Sequence, residues 1–261
     1  MNATRKRGGI SMLVKILVEN FLSFDCETEL TMIPSNKTRK KANHKISVKS
    51  TPLLRHAVIY GANAAGKSNL VEAFRFIQYC VYKAIPIQAS TMFNKSKEGN
   101  SKRPSTFEVQ FTVNNKFYAY GFSLILQERR IVSEWLYELY QNGSAKTLFE
   151  RELGKKPVIG ENVTLENNDK LKMQTYLEDF DENSNTLFLS FMNRGKKVTT
   201  SSKLWFFKEV YHWINNSLDV CTPQTSLSSF EYYNNEASLS MINKLIKMHI
   251  SLQRNPCFAL A

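Results

Sequence analysis

The chain has 261 residues, 43% of them hydrophobic, and a formal net charge of +12 at pH 7. This length and apolar content suffice for one large domain or two small ones, so they exclude an intrinsically disordered chain. No apolar stretch approaches the ~18 residues of a membrane span, and the amino terminus lacks the apolar core of a signal peptide. Because the four cysteines have neither paired nor metal-type spacing, we expect reduced thiols and a cytoplasmic protein without membrane contact.

The excess of basic residues leaves two interpretations open. Lysine and arginine number 35, against 23 acidic residues. Such an excess favours contact with polyanions such as nucleic acid or a nucleotide, but the charges are scattered in clusters, as they are on an ordinary basic surface. The densest cluster lies in residues 35–50, where a solvated loop and a contact with phosphate or nucleic acid both fit the sequence.

The amino-terminal part of the chain predicts a basic extension followed by a β-hairpin. Residues 1–11 are polar and basic with a Gly-Gly break, so we expect them to be disordered, with Met12 as a natural start. Residues 13–21 and 27–33 alternate apolar and polar side chains. Since this alternation is typical of half-buried strands, the two segments predict an antiparallel hairpin.

The most specific motif lies in residues 56–68, where a short apolar run leads into the pattern G-x-x-x-x-G-K-S. The apolar residues 57–60 predict a buried parallel strand. Apolar side chains recur at helical spacing after the motif, with no proline before Pro86, and predict a helix over about 67–84. Strand, loop and helix together are the setting in which this motif binds phosphate, although the bare pattern also occurs in proteins that bind no nucleotide.

Each residue type in this loop has an expected role in binding phosphate. The glycines let the backbone curl so that successive N–H groups point at phosphate oxygens, and the helix adds its positive amino-terminal dipole. Lys67 is expected to contact the β and γ phosphates, which makes it the candidate catalytic residue, and the Ser68 hydroxyl is expected to hold Mg²⁺. The predicted ligand is a nucleoside triphosphate with magnesium. The candidate nucleotide-binding residues are Gly61, Ala62, Asn63, Ala64, Ala65, Gly66, Lys67, Ser68 and Asn69.

The apolar period changes to two after a polar loop at residues 95–103. Alternating segments at 107–113, 118–126 and 131–140, with turns at residues 114–115 and 142–143 and a further strand at 148–149, predict an antiparallel meander. Its aromatic residues suit either the core or a platform for stacked bases. They are Phe111, Tyr118, Tyr120, Phe122, Trp135 and Tyr137.

Helical spacing dominates from residue 183 onward. Leu204, Phe207, Tyr211 and Ile214 share one helical face, and residues 241–252 predict another amphipathic helix. We therefore expect three regions: a disordered extension at 1–11, a nucleotide-binding lobe with the meander at 12–155, and a mostly helical part at 156–261. The predicted fold class is α/β, a P-loop fold with an antiparallel β-subdomain and a helical carboxyl-terminal part.

Several stretches resemble the ATP-binding heads of the ABC and SMC type. They are V-E-N-F-L-S-F at 18–24, residues 53–70 around the glycine-rich loop, and shorter matches at 120–122, 131–137, 148–151 and 187–190. They are similar to SMC, RecF and OLD-like ATPases and to bacterial AAA-family proteins described as RloA-like or abortive-infection ATPases. The resemblance implies ATP and Mg²⁺ as ligands, a homodimer with ATP sandwiched between two heads, and a role in anti-phage defence beside a nuclease or toxin.

The sequence departs from this resemblance at the catalytic motifs. A Walker B strand of apolar residues ending in Asp-Glu is not recognisable, because the nearest acidic pair, Glu178-Asp179, lacks the apolar run. Neither 226–229 nor 239–240 has the glycines of a signature motif. His212 and His249 fit ordinary helix positions better than a switch histidine, and Gln110 fits a strand surface better than a Q-loop. We therefore expect the amino-terminal half of such an ATPase, which binds ATP without hydrolysing it.

Two alternatives from other classes stay open. The chain fits a non-hydrolysing module for nucleotide or nucleic acid, and less well another P-loop enzyme such as a GTPase or a small-molecule kinase. Residues 94–97, N-K-S-K, lack the Asp of the guanine-reading N-K-x-D motif. The antiparallel meander suits cassette-type heads better than kinases.

Overall fold

The computed structural model describes residues 10–35, 44–62, 65–195 and 197–220, and the described residues up to Asp219 belong to one compact unit. Some expectations from the sequence concern residues outside these ranges. They are the extension before residue 10, the basic residues from 37 to 41, the segments at 226–229 and 239–240, and the helix at 241–252 with His249.

A seven-stranded antiparallel sheet forms the centre of the described structure. Its strands lie in the order β2, β1, β5, β6, β7, β8, β9, and β3 and β4 form a separate hairpin. The bounds are β1 Met12–Glu19, β2 Thr28–Thr31, β3 Lys45–Val48, β4 Thr51–Leu54, β5 Ser105–Val113, β6 Lys116–Ile125, β7 Arg130–Leu139, β8 Ala145–Glu152 and β9 Val158–Ile159. The antiparallel pairing of β1 with β2 and of β5 through β8 confirms the predicted hairpin and the predicted meander.

The turns of the meander contain the residues that their backbone requires. Asn114 and Asn115 join β5 to β6 with φ of 50° and 61°, in the left-handed region that asparagine tolerates better than most residues. Gly143 has φ of 83° in the turn between β7 and β8, where a side chain would be strained. Both turns predicted from the sequence are therefore confirmed.

The helices cover one face of the sheet. They are α1 Lys67–Tyr82, α2 Asn167–Glu178, α3 Phe188–Asn193 and α4 Phe206–His212, with 3₁₀ turns at Ile87–Thr91 and Lys203–Trp205 and a π-helical turn at Trp213–Ser217. α1 buries Ala73, Phe76, Ile77, Cys80 and Val81 at the helical spacing that the sequence predicts. None of the helices in the described ranges is long and apolar enough to cross a membrane.

The aromatic residues of the meander divide between the two faces of the sheet. Phe111, Tyr118, Tyr120 and Phe122 are at most 1% exposed, which confirms the core interpretation for these four. Trp135 and Tyr137 alternate onto the opposite face and are partly buried. Their polar atoms bond carboxylates: Trp135 Nε1 donates to Glu108 at 2.8 Å and Tyr137 Oη to Glu150 at 2.7 Å.

A buried ionic cluster joins the sheet to the helical layer. Glu134 on β7 accepts hydrogen bonds from Tyr120 Oη and from the backbone N–H groups of Phe188 and Leu189. The Arg151 guanidinium on β8 lies 3.7 Å from the same carboxylate. Arg151 also donates to the carbonyls of residues 182, 184 and 186. The cluster thus fixes the segment before α3 and the start of α3 against the sheet.

Candidate functional site

The glycine-rich loop leads directly into α1, as the sequence predicts. The structure describes Gly61, Ala62 and Ala65 to Asn69, while Asn63 and Ala64 lie outside the described residues. Gly66 is buried and is the N-cap of α1, with φ of 85° and ψ of 4°. This left-handed conformation is one that glycine adopts freely and that a side chain would strain. The second glycine of the motif is therefore required by the backbone where the helix starts.

The amino-terminal end of α1 is arranged to attract an anion. The first N–H groups of an α-helix have no partner within the helix, and the helix dipole places partial positive charge on them. In the described residues no side chain caps these groups, and the first turn of α1 contains no acidic residue. A phosphate group would satisfy the N–H groups and complement the dipole.

Lys67 and Ser68 occupy the first two positions of α1. Lys67 Nζ donates hydrogen bonds to the carbonyls of Gly61 and Ala62, both at 2.7 Å, so the ammonium group closes the loop on itself. The Ser68 residue is exposed. An ammonium group and a hydroxyl at the start of a helix are the side chains that the motif uses for phosphate and for Mg²⁺, so the donor set fits both ligands.

The segment before the loop corrects one expectation. Residues 57–60 were expected as a buried parallel strand, but they form no strand, and the exposed fractions of Val58, Ile59 and Tyr60 are 65%, 46% and 88%. The physical reason is that a parallel strand needs a neighbouring strand on at least one side. In the described ranges every strand pairs in the antiparallel sense, and none of them pairs with residues 57–60.

A cavity of about 220 Å³ adjoins the loop. Most of its lining is apolar and comes from the amino-terminal hairpin, from the exposed segment before the loop and from α1. The lining residues are Val18, Phe24, Thr28, Glu29, Leu30, Ile59, Tyr60, Ala65, Gly66, Lys67 and Leu70. Glu29 contributes a carboxylate, which accepts a hydrogen bond from Lys15 Nζ at 2.7 Å. Sequence reasoning missed this cavity, because its walls are far apart in the chain.

The other candidate residues lie in ordinary structural positions. Glu178 and Asp179 close α2, and Glu178 accepts a hydrogen bond from Gln174, so this acidic pair does not end a buried strand. Gln110 lies on β5 and donates to Glu108 at 2.8 Å, in keeping with a strand surface. His212 is exposed at the end of α4. These four residues therefore occupy ordinary structural positions.

The fold and the loop together are compatible with a P-loop NTPase. The family model described as AAA domain, putative AbiEii toxin, Type IV TA system matches residues 57–237 of the chain. Because the match spans more than half of the chain, the protein belongs to this AAA-domain family. No curated protein matches the chain. Membership supports the broader interpretation from the sequence, an ATP-binding, ATPase-like protein of the AAA type.

Proposed function

We propose that the chain binds Mg²⁺-ATP in the loop from Gly61 to Asn69 and acts as the ATP-binding subunit of an ABC/SMC-type ATPase. The observation that carries this proposal is the uncapped start of α1, where a left-handed glycine, a lysine and an exposed serine follow one another. The free N–H groups and the dipole at the start of a helix favour binding of an anion. The AAA-domain family match adds the expectation that the anion belongs to ATP.

The chain's own groups divide the work of binding. The backbone N–H groups of Gly66 and Ala65, with Asn63 and Ala64 by the motif, cradle the phosphates, and the N–H of Ala65 gives up its bond to the Ala62 carbonyl to do so. Lys67 exchanges its two carbonyl partners for oxygens of the β and γ phosphates. The Ser68 hydroxyl ligates Mg²⁺, which neutralises phosphate charge when it is bound.

The adjoining cavity is the proposed place of the base. It begins at Gly66 and Lys67 and is walled mainly by apolar side chains. Phe24, Leu30 and Tyr60 offer flat or branched surfaces against which a purine ring can pack. Nucleotide binding would also bury part of the apolar surface that the segment before the loop exposes to water.

Hydrolysis is not part of the activity proposed for the described residues. Glu178 and Asp179 lie at the end of α2. Glu29 is near the loop, but it is paired with Lys15. A catalytic carboxylate that polarises water and helps to hold Mg²⁺ is needed for phosphoryl transfer. We therefore propose ATP binding with no turnover by this chain alone.

The wider role in the cell is proposed from the resemblance and from the family description, which names a toxin and a toxin–antitoxin system. ATP-dependent pairing of two heads, a nuclease or toxin partner and an anti-phage defence role belong to this proposal. Contact with nucleic acid is the second candidate function, and the observation that favours it is the net charge of +12.

The test is calorimetric titration of Mg²⁺-ATP into the full chain, with a parallel assay of phosphate release. Lys67→Ala should weaken binding by roughly ten- to hundredfold, because a hydrogen bond to a charged group contributes about 1.5–3 kcal/mol. The matched control is Lys172→Ala. Lys172 is partly buried like Lys67 but lies on α2, so its loss should leave the affinity unchanged. The absence of ATP binding by the wild-type chain would refute the proposal. Lys67-dependent phosphate release would refute its non-hydrolysing part.

A further inference from the structure

The turn that follows β1 has an unusual backbone. Asn20 and Leu22 have φ of 49° and 48°, in the left-handed region, and Phe21 pairs with Phe24 in an isolated antiparallel bridge. Leucine has no local polar group to stabilise this conformation, which costs about 1–3 kcal/mol unless the surroundings enforce it. The turn over residues 20–24 is therefore held in place by other parts of the molecule.

The loop at residues 92–104 provides that support. Asn20 is fully buried, and its Nδ2 donates to the carbonyls of Asn100 and Arg103 at 2.8 and 2.9 Å. Its Oδ1 accepts from the N–H of Asn94 at 3.2 Å. Leu22 exchanges two further bonds with this loop: its N–H donates to the Met92 carbonyl, and its carbonyl accepts from Asn94 Nδ2, both at 2.8 Å. Five hydrogen bonds from Asn20 and Leu22 thus hold the segment that immediately precedes Ser23.

The rigid turn presents Ser23 to the glycine at the start of α1. A Cβ atom placed on Gly66 would lie only 2.5 Å from Ser23 Oγ and 3.4 Å from Ser23 Cβ, so the two residues are in close contact. Ser23 is nevertheless an exposed residue. Ser23 therefore lies at the rim of the loop whose N–H groups and lysine form the proposed phosphate cradle, with its hydroxyl beside Gly66.

We propose that Ser23 is a nucleotide-contacting residue whose Oγ–H donates a hydrogen bond to a phosphate oxygen of the bound nucleoside triphosphate. This inference rests on the proposed function of the loop and adds a contact from outside the glycine-rich motif. A hydroxyl beside the N-cap residue of α1 can act as a neutral donor to an anionic oxygen, the kind of hydrogen bond that is stronger than a bond between two neutral groups. The strained turn and its anchor at Asn20 make Ser23 a preorganised donor, because the hydroxyl needs no further ordering of the backbone.

The test compares Mg²⁺-ATP and magnesium tripolyphosphate as titrants of the full chain in calorimetry. Ser23→Ala should weaken both by about tenfold, since the lost contact is with phosphate. Ser23→Thr retains a hydroxyl and should stay within about threefold of the wild type. Ser101→Ala, in the supporting loop, is the matched control and should change neither affinity nor thermal unfolding.

The outcomes separate this inference from the proposed function. If Lys67→Ala weakens binding as expected while Ser23→Ala binds both titrants like the wild type, the inference is wrong and the proposed function stands. If Ser23→Ala and Ser101→Ala weaken binding equally and both lower the unfolding temperature, the role of Ser23 is structural and the inference is again wrong. If the wild-type chain binds neither titrant, the proposed function and the inference fail together.

Discussion

Similar apolar side chains have opposite environments in two regions of this molecule. Ile16 on β1 is fully buried under the helices, whereas Ile59, in the segment before the loop, is 46% exposed. The polar groups differ in the same way: Glu134 in the sheet has three hydrogen-bond donors and an arginine, while Ser68 and Ser23 near the loop are exposed. The comparison teaches that stability resides in the sheet and its helices, and that the loop region retains groups for a ligand.

The largest expected effect tests the buried ionic cluster. Glu134→Ala should lower the free energy of unfolding by about 3–5 kcal/mol, because it leaves the Arg151 guanidinium buried without its counter-charge. Urea unfolding followed by circular dichroism measures this loss. Glu128→Ala removes an exposed partner of Arg130 and should cost less than about 1 kcal/mol. Equal losses for the two variants would contradict the assignment of stability to the buried sheet face.

The second prediction applies one substitution to both regions. Ile16→Ala should cost about 2–5 kcal/mol, since it opens a cavity in the core. Ile59→Ala should cost less than about 1 kcal/mol, because much of the side chain already lies in water. Chemical unfolding of the ligand-free chain measures both values. A loss at Ile59 as large as that at Ile16 would show that the segment 57–60 is packed in solution.

The third prediction compares two glycines with positive φ. Gly66→Ala should cost about 2–3 kcal/mol, because the new methyl group strains the backbone and meets Ser23. Gly99→Ala should cost about 1 kcal/mol, since its φ of 88° is strained but its Cβ position has no neighbour within 4 Å. Thermal unfolding of both variants, alone and combined with Ser23→Ala, measures how much of the stability loss comes from the clash with Ser23. If Ser23→Ala leaves the cost at Gly66 unchanged, the close contact between the two residues does not exist.

The smallest expected effect concerns pH. The hydrogen bond from Lys97, followed by that from Asn100, lowers the pKa of Asp25 below its ordinary value of 3.8. A carboxylate with a depressed pKa in the folded state stabilises the fold above pH 3.8, and this contribution is lost as the pH falls through the folded pKa. Unfolding experiments at pH 5, 4, 3 and 2 should therefore show a steeper acid loss for the wild type than for Asp25→Asn. Parallel curves would refute the prediction.

The sequence was sufficient for the amino-terminal hairpin, the meander and the start of α1 at Gly66, because these depend on local patterns. It did not predict β3 and β4, the first of which lies in the stretch 35–50 interpreted as a loop or phosphate contact, nor β9. Alternation such as that of Phe107, Val109 and Phe111 appears wherever one face of a strand is buried, and asparagine and glycine mark the turns. The second glycine of the motif, Gly66, is required by its φ of 85°, a backbone reason that holds in any fold. The helix after it follows from apolar spacing alone.

The remaining features could not be predicted, because they depend on contacts between distant parts of the chain. The hydrogen bond from Asn20 to the carbonyl of Asn100 joins residues 80 positions apart, and no local sequence pattern predicts it. The contact of Ser23 with Gly66 and the cavity beside the loop arise in the same way. The expected strand at 57–60 was wrong for a related reason: an apolar run indicates a tendency to be buried, but the neighbouring strand must come from elsewhere.

The strand order also has a kinetic consequence. Strands β5 through β8 pair with their neighbours in sequence, whereas β1 must find β5 across the loop, α1 and the segment after it. Local pairings close short loops and form early in folding, and distant pairings follow because they lose more chain entropy. The turn bearing Ser23 follows β1 and therefore joins α1 late. If Ser23 contacts the nucleotide as proposed, this contact forms after the transition state, so we expect bound nucleotide to slow unfolding without accelerating folding.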